Sequence, residues 1–521
     1  MKSIDIMFAS EENRGKWIYG RSDWEQVRRD LNMNETINYF EKQSKDFPGE
    51  YLYRPCCDQK DAEYRLEIMD ELLGSGKLFG DISDFCLILR RYRAMLREFR
   101  DDTHEIQKQY RFLLLFAEFT ASASRLQILL SPAKSAGLKK VYSRCAEITS
   151  CESVKSAYED ASSLICEIGR ILKNTVIEIY SKEKLLWVSE SEKKGESEIF
   201  REEVFEAYGF KIKSDFPITD PLPLSYLEEK VLGVLICKNQ EIFESLEKFY
   251  TNYSAGFSED IKIFTDLMPQ FVFYINYSEF IKNAKRNGIP VCRPVFDESG
   301  FFARQAAGIS MIIKFSEENR PAGDIVFNDI RLPKSKIFIL SGPNQGGKTI
   351  YLKMIGMNAY LAKCGCYVFC DKCSLPFYES IITHFMQKEI LGKSRLAEEI
   401  GRIEQISKRL SRESLVLLNE SFTSARRSDS LEIFVHYIEK FDHIGCSAGF
   451  VSHFYEIPEI YKNGENEIIS LKSEISQNGE RTYKISEKKG DGLAYARDIA
   501  QSCGMTYEQL TAQIERTGEN L

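Results

Sequence analysis

The segment Ile337-Phe338-Ile339-Leu340-Ser341-Gly342-Pro343-Asn344-Gln345-Gly346-Gly347-Lys348-Thr349 decides how this chain is read. An apolar run leads into Gly-x-x-x-x-Gly-Lys-Thr and then into helically spaced residues, the strand-loop-helix context in which this pattern cradles phosphates. Glycine lets the backbone wrap so closely that successive N–H groups face one ligand, and the following helix begins there with its positive dipole end. Gly342, Pro343, Asn344, Gln345, Gly346 and Gly347 are therefore the expected loop around the phosphates of a nucleotide. Lys348 is placed for the β- and γ-phosphates and the Thr349 hydroxyl for Mg²⁺.

Working outward, two further apolar runs, 415–418 and 449–451, are bounded by turn residues and alternate with helical patterns. Such alternation implies a largely parallel sheet with helices on both faces. The first run ends in Asn419-Glu420, where nucleotide hydrolysis needs a group for metal-bound water and a group for the attacking water. Asn419 can accept a hydrogen bond from metal-bound water but brings no charge to offset Mg²⁺. Glu420 can orient or deprotonate the water. Thr349, Asn419 and Glu420 are thus the expected Mg²⁺ set, and Lys348 and Glu420 expected catalytic residues.

Before Gly288 the texture differs. From 61 to 180 apolar residues recur three and four apart, as in Phe85, Ile88, Leu89, Tyr92, Leu96 and Phe99, which predicts packed helices. A hydrophilic stretch at 189–198 and three prolines within 217–223 read as loop, and helical spacing resumes over 240–285. The expected fold is a helical core and lever followed by an α/β domain with a mostly parallel sheet.

The chain has 521 residues, enough for two to four domains, and a formal net charge of −8. That balance argues against a protein that coats nucleic acid over its whole surface, without excluding a local basic face. Arg90, Arg93, Arg97 and Arg100 share one side of a helix, where they can contact phosphates or, as is commoner, form a solvated face. The 14 cysteines are scattered through a long chain that starts Met1-Lys2-Ser3-Ile4-Asp5, which points to a reducing cytoplasm. The longest apolar run near the middle, 112–117, is far shorter than a bilayer span, so no membrane segment is expected. Cys364, Cys366, Cys370 and Cys373 have zinc-like spacing. Gly365 should end the helix there and Tyr367-Val368-Phe369 reads as a strand, so buried thiols are expected and no zinc.

These motifs, in order, resemble the MutS family of dimeric ATPases. Residues 342–349 are similar to its phosphate loop, and Leu391-Gly392-Lys393-Ser394-Arg395 with Glu398 and Glu399 to its serine-threonine segment. Asn419-Glu420 stands where the family has Asp-Glu, Asp429 where it has a downstream Asp, and 451–457 resembles its THYFEL strand end. The resemblance implies ATP and Mg²⁺ as cofactors and a homodimer with composite sites. Ser394 would then reach the γ-phosphate held by the partner, His453 would sense that phosphate or the attacking water, and Asn328 would contact adenine.

It also implies domains at 1–50 (unassigned), 51–285 (helical core and lever, with a reduced clamp insert at about 181–239), 286–475 (P-loop ATPase) and 476–521 (helical dimerisation piece). The family's two front domains, at roughly 100 residues each, do not fit before this helical core, so mismatch reading by an aromatic wedge is not expected. The expected function is an ATP-dependent dimeric switch acting on structured or branched DNA. The alternative is a nucleotide-gated scaffold with weak hydrolysis and no direct DNA binding, suggested by Asn419 and by the acidic 189–198 stretch where the clamp should grip.

Overall fold

The computed structural model describes residues 4–19, 24–102, 104–180, 185–190, 226–257, 260–318, 320–385, 395–420, 427–454, 457–461, 468–476, 480–488, 507 and 511. The chain forms two compact units, Met1–Ile6 with Gly74–Ile275 and Met7–Leu73 with Asn276–Leu521.

The first unit is helical. Helices Gly76–Asp101, Glu105–Leu130, Ala136–Ser150, Glu152–Asn174, Tyr226–Lys238 and Gln240–Phe257 pack with the first part of Ile263–Arg286. Helix Gly76–Asp101 starts where the Ser75 side chain accepts from Leu78 N at 3.2 Å, satisfying one of the unpaired first-turn donors. Its three-four spacing buries Phe85, Leu89, Tyr92 and Leu96. Aromatic rings fill the centre, with Phe116 edge-on to Phe257 at 4.8 Å and Tyr92 edge-on to Phe264 at 5.6 Å. The Tyr92 hydroxyl keeps a partner inside this apolar core, donating to Ile261 O at 2.8 Å.

Helix Glu105–Leu130 is long and apolar enough to cross a membrane by length and composition. In the unit it buries Phe112, Leu113, Leu115, Phe116, Phe119 and Leu126, as a core helix does. Helix gives way to strand at Thr175, five residues before the sequence reading expects: β1 (Thr175–Tyr180) pairs antiparallel with β2 (Leu185–Glu190). Thr175, Val176, Ile177 and Ile179 are β-branched and favour the extended chain. Of the acidic stretch, Ser189 and Glu190 lie on β2, and 191–198 lie outside the described residues.

The second unit carries β3 (Val295–Phe296), β4 (Gly300–Ala306), β5 (Asn328–Pro333), β6 (Ile337–Ser341), β7 (Lys372–Leu375), β8 (Ser380–Phe385), β9 (Ser414–Asn419), β10 (Ser447–Val451), β11 (Ile469–Ile475) and β12 (Arg481–Glu487). Six of them form a sheet in the order β12-β11-β6-β10-β9-β8, parallel throughout except for β12. The three apolar runs of the sequence are β6, β9 and β10, each buried along its whole length as a strand covered on both faces must be. At Gly449 on β10 a Cβ would overlap the Phe338 ring, so the absent side chain is what lets that ring lie across the strand. A smaller sheet has the order β3-β7-β4-β5.

Three expectations of local structure change here. Residues 7–73 belong with the sheet, so 51–73, expected in the helical core, fall in the other unit, and the unassigned 7–50 join them there. Helix Trp24–Asp30 contributes Asp30, whose buried carboxylate accepts from Thr383 Oγ1 at 2.8 Å and Phe385 N at 3.3 Å at the end of β8. Asn32 Oδ1 accepts from Lys353 Nζ at 2.7 Å, Tyr360 Oη donates to Leu52 O at 2.7 Å, and Trp24 meets Tyr360 edge-on at 5.7 Å. Buried Arg65 donates to Met7 O at 2.9 Å and Cys364 O at 3.1 Å. Secondly, β11 and β12 are one hairpin of the main sheet, so a boundary at 476 cuts through a strand pair.

Thirdly, Tyr367-Val368-Phe369 is not a strand. Val368 makes only an isolated bridge to Cys292, while Phe369 N donates to the Asn358 side chain at 3.0 Å instead of to a ladder. The preceding helix, Lys348–Lys363, does end at Gly365, whose φ of +70° permits Gly365 N to bond Ala362 O and Cys366 N to bond Leu361 O. Cys364 and Cys366 are fully buried, and burial pushes both thiols up.

Candidate functional site

Three parallel strands deliver the candidate residues at their carboxyl ends, the edge at which open α/β sheets bind ligands. β6 leads into 342–347, β9 into Glu420, and β10 into Ser452 and His453. The turn after β6 needs left-handed backbone at Gly342 (φ +137°), Gln345 (φ +63°) and Gly347 (φ +86°). Close approach explains the glycines as much as backbone freedom does. A Cβ at Gly346 would stand 2.5 Å from Ser473 Oγ and 3.0 Å from Pro343 O, and one at Gly342 would stand 2.8 Å from Ser473 Cβ. Ser473 on β11 holds the loop from behind, its hydroxyl donating to Gly346 O at 2.5 Å.

Lys348 is buried, and its ammonium donates to Gly342 O at 2.9 Å and Pro343 O at 2.8 Å. Desolvation holds its pKa below the usual lysine value, with the Glu420 charge acting the other way. Thr349 Oγ1 donates to Asn419 Oδ1 at 3.0 Å, which ties the first turn of the helix to the end of β9. Glu420 takes a positive φ of 53° and its N–H donates to Val451 O at 2.9 Å, so the end of β10 fixes where the strand turns. His453 Nε2 stands 3.8 Å from Glu420 Oε1, both side chains being partly open to solvent. Lys348, Thr349, Asn419, Glu420 and His453 therefore meet along one sheet edge.

The donor set suits a hard divalent cation, which takes oxygen ligands. By giving its proton to Asn419, the Thr349 hydroxyl keeps its lone pairs for a cation, and the Glu420 carboxylate lies next along the chain. The charge beside such a cation comes from Glu420 alone of these three.

The other expected residues are Ser394, Asp429 and Asn328. Ser394 falls outside the described residues. Asp429 sits in the first turn of helix Arg427–Ile444, where it accepts from Ser428 Oγ at 2.9 Å. The Asn328 amide is engaged by β12, donating to Tyr483 O at 3.0 Å and accepting from Ile485 N at 2.9 Å. It holds the β12 backbone in place rather than presenting a free amide. That hairpin brings in a residue that the sequence assigns to the C-terminal helical piece and not to the site, on what is here a strand. Tyr483 has an exposed ring and a φ of +58°, and a Cβ built at Gly347 would lie 3.4 Å from its Cδ1. Only the β11–β12 register places this ring beside the loop, and no local motif announces it.

Fold and site together define a mixed helical and α/β protein with a phosphate-loop sequence at the carboxyl edge of its main sheet. A family model described as MutS domain V matches residues 338–508. The DNA mismatch repair protein MutS of Fusobacterium nucleatum subsp. nucleatum is 29% identical over 198 residues, covering 36% of this chain and 22% of that protein. The proteins of the same name from Thermosipho melanesiensis and Fervidobacterium nodosum are 27% and 24% identical over 222 and 291 residues, 41% and 54% of this chain and 26% and 33% of theirs. The chain thus spans between 22% and 33% of the length of these curated relatives. Over residues 338–508 the chain is similar to domain V of the MutS family.

Proposed function

We propose that this chain is an ATP-hydrolysing dimeric switch that works on DNA, with ATP and Mg²⁺ at the edge formed by β6, β9 and β10. The observation that carries this reading is the Thr349–Asn419 hydrogen bond beside Glu420 and Lys348, because it joins the phosphate loop to the strand end that hydrolysis requires. Backbone N–H groups of the 342–347 loop, which Pro343 lacks, cradle the phosphates. Lys348 exchanges its two loop carbonyls for phosphate oxygens. Thr349, Asn419 and Glu420 hold Mg²⁺, which supplies the positive charge that offsets the phosphates. Glu420 orients the attacking water and accepts its proton, and His453, 3.8 Å away, donates toward the γ-phosphate or that water. The Tyr483 ring offers a flat surface for a base. Ser394 of a second copy completes each site, so nucleotide favours dimer closure.

DNA enters through the family, whose relatives here are named for DNA mismatch repair. Structured or branched DNA is the proposed substrate class. A second reading, a nucleotide-gated scaffold with weak turnover, is favoured by one observation: Asn419 contributes no charge where the metal is held. ATP hydrolysis measured with and without duplex, junction and single-stranded DNA separates the two. A rate that responds to DNA supports the first reading, and dimer closure by ATP with a rate indifferent to every DNA supports the second.

A further inference from the structure

We infer that the arginine face of helix Gly76–Asp101 is a contact surface for the phosphate backbone of duplex DNA; the inference rests on the proposal that this chain works on DNA. Residues 90–100 hold five arginines, Arg90, Arg91, Arg93, Arg97 and Arg100, against one acid, Glu98. All five arginines are exposed. Glu98 pairs with Arg111, as Asp102 does. At about 100° per residue, Arg90, Arg93, Arg97 and Arg100 fall within an arc of about 80°, beside the face that buries Leu89, Tyr92 and Leu96. The helix is therefore anchored through one side while the adjoining side presents charge.

Ten residues of helix cover about 15 Å. A B-DNA strand turns about 35° per base pair, so a straight helix laid beside a duplex meets about two or three phosphates of one strand, within reach of these guanidinium groups. Arginine suits that role because its planar fork bonds two phosphate oxygens at once. A chain with a net charge of −8 has few places for such an interaction, and this run concentrates positive charge within three helical turns. Asp84 and Asp101 are the exposed acids flanking the run on the same helix, and they confine the positive potential to its middle. Arg90 and Arg93 also interact within the protein, which is why the pair Arg97 and Arg100 is tested separately.

The test is equilibrium binding of a fluorescent duplex and a four-way junction by the full chain over a series of salt concentrations. The comparison is between wild type, the quadruple variant Arg90→Gln/Arg93→Gln/Arg97→Gln/Arg100→Gln, and the milder pair Arg97→Gln/Arg100→Gln. The expected result is binding at least about tenfold weaker for the quadruple variant at low salt. Its log K against log salt slope should be shallower by about 0.9 for each phosphate no longer neutralised, with the pair intermediate. ATP hydrolysis without DNA should be unchanged in both, and the pair guards against a quadruple variant that does not fold. Wild-type affinity and slope in a folded variant overturn the inference and leave the DNA reading standing. A wild type that binds neither DNA overturns both. A face that binds polyglutamate with the same arginine dependence, while DNA binding is unmoved, is a protein-docking surface and overturns the inference.

Discussion

Thr349 Oγ1 donates to Asn419 Oδ1 at 3.0 Å across the end of the main sheet. The acceptor is an amide where a carboxylate would place a charge beside the metal. Asn419→Asp should therefore lower the Mg²⁺ concentration at half-maximal hydrolysis several-fold and raise the rate at limiting Mg²⁺. Steady-state hydrolysis titrated with Mg²⁺ checks this, and an unmoved midpoint means that metal affinity is not limiting.

Lys348 is buried with its ammonium on two loop carbonyls, Gly342 O and Pro343 O. Lys348→Ala should remove the stabilisation of the folded chain by ATP while leaving its unliganded stability within about 1 kcal/mol, because the missing hydrogen bonds are offset by relief of a desolvated charge. Thermal unfolding with and without Mg²⁺-ATP reads both effects. A variant whose midpoint still rises with ATP as the wild type's does would show that Lys348 is not at the phosphates.

Asp30 receives Thr383 Oγ1 and Phe385 N at the end of β8, and Gln26 Nε2 at 2.7 Å on its other oxygen. Asp30→Ala leaves those donors without an acceptor in a buried place, at a cost of about 2–4 kcal/mol. Asp30→Asn keeps one acceptor and should cost less. Urea unfolding gives the order, and equal losses for the two variants would contradict the hydrogen-bond account.

His384 is buried on β8, with no hydrogen-bond partner for either ring nitrogen among the described residues. Burial, with the Arg402 charge adding, brings its pKa down to about 4. The unfolded chain keeps an ordinary histidine near 6.5, so on acidification the unfolded state binds the proton first. Stability is then level above about pH 6.5 and declines as pH falls towards 4, with this residue contributing at most about 3 kcal/mol of the loss. His384→Phe should flatten that part of the profile, and an unchanged decline would assign it to other groups.

The parts of this fold legible in the sequence are those fixed by local chemistry. Runs such as Leu415-Val416-Leu417-Leu418 are buried on both faces and need no partner to be recognised as strands, and the glycines after Ser341 announce their turn. What escaped depends on distant partners. Residues 1–50 carry no motif, so the places of Asp30 and Asn32 show only when Thr383 and Lys353 are brought to them. Asn328 resembles a ligand-binding residue by motif, yet its amide is occupied by the β12 backbone. Tyr367-Val368-Phe369 has strand composition, but the Asn358 side chain takes the N–H of Phe369 and an isolated bridge replaces the ladder.

Whether the edge bearing Lys348, Thr349, Asn419 and Glu420 hydrolyses ATP is read from steady-state hydrolysis by wild type and Glu420→Gln at saturating Mg²⁺-ATP. Wild type should turn over steadily, and Glu420→Gln should lose about 10²-fold or more with ATP binding retained. Equal rates for the two proteins, or no turnover by wild type that binds ATP, would contradict hydrolysis at this edge.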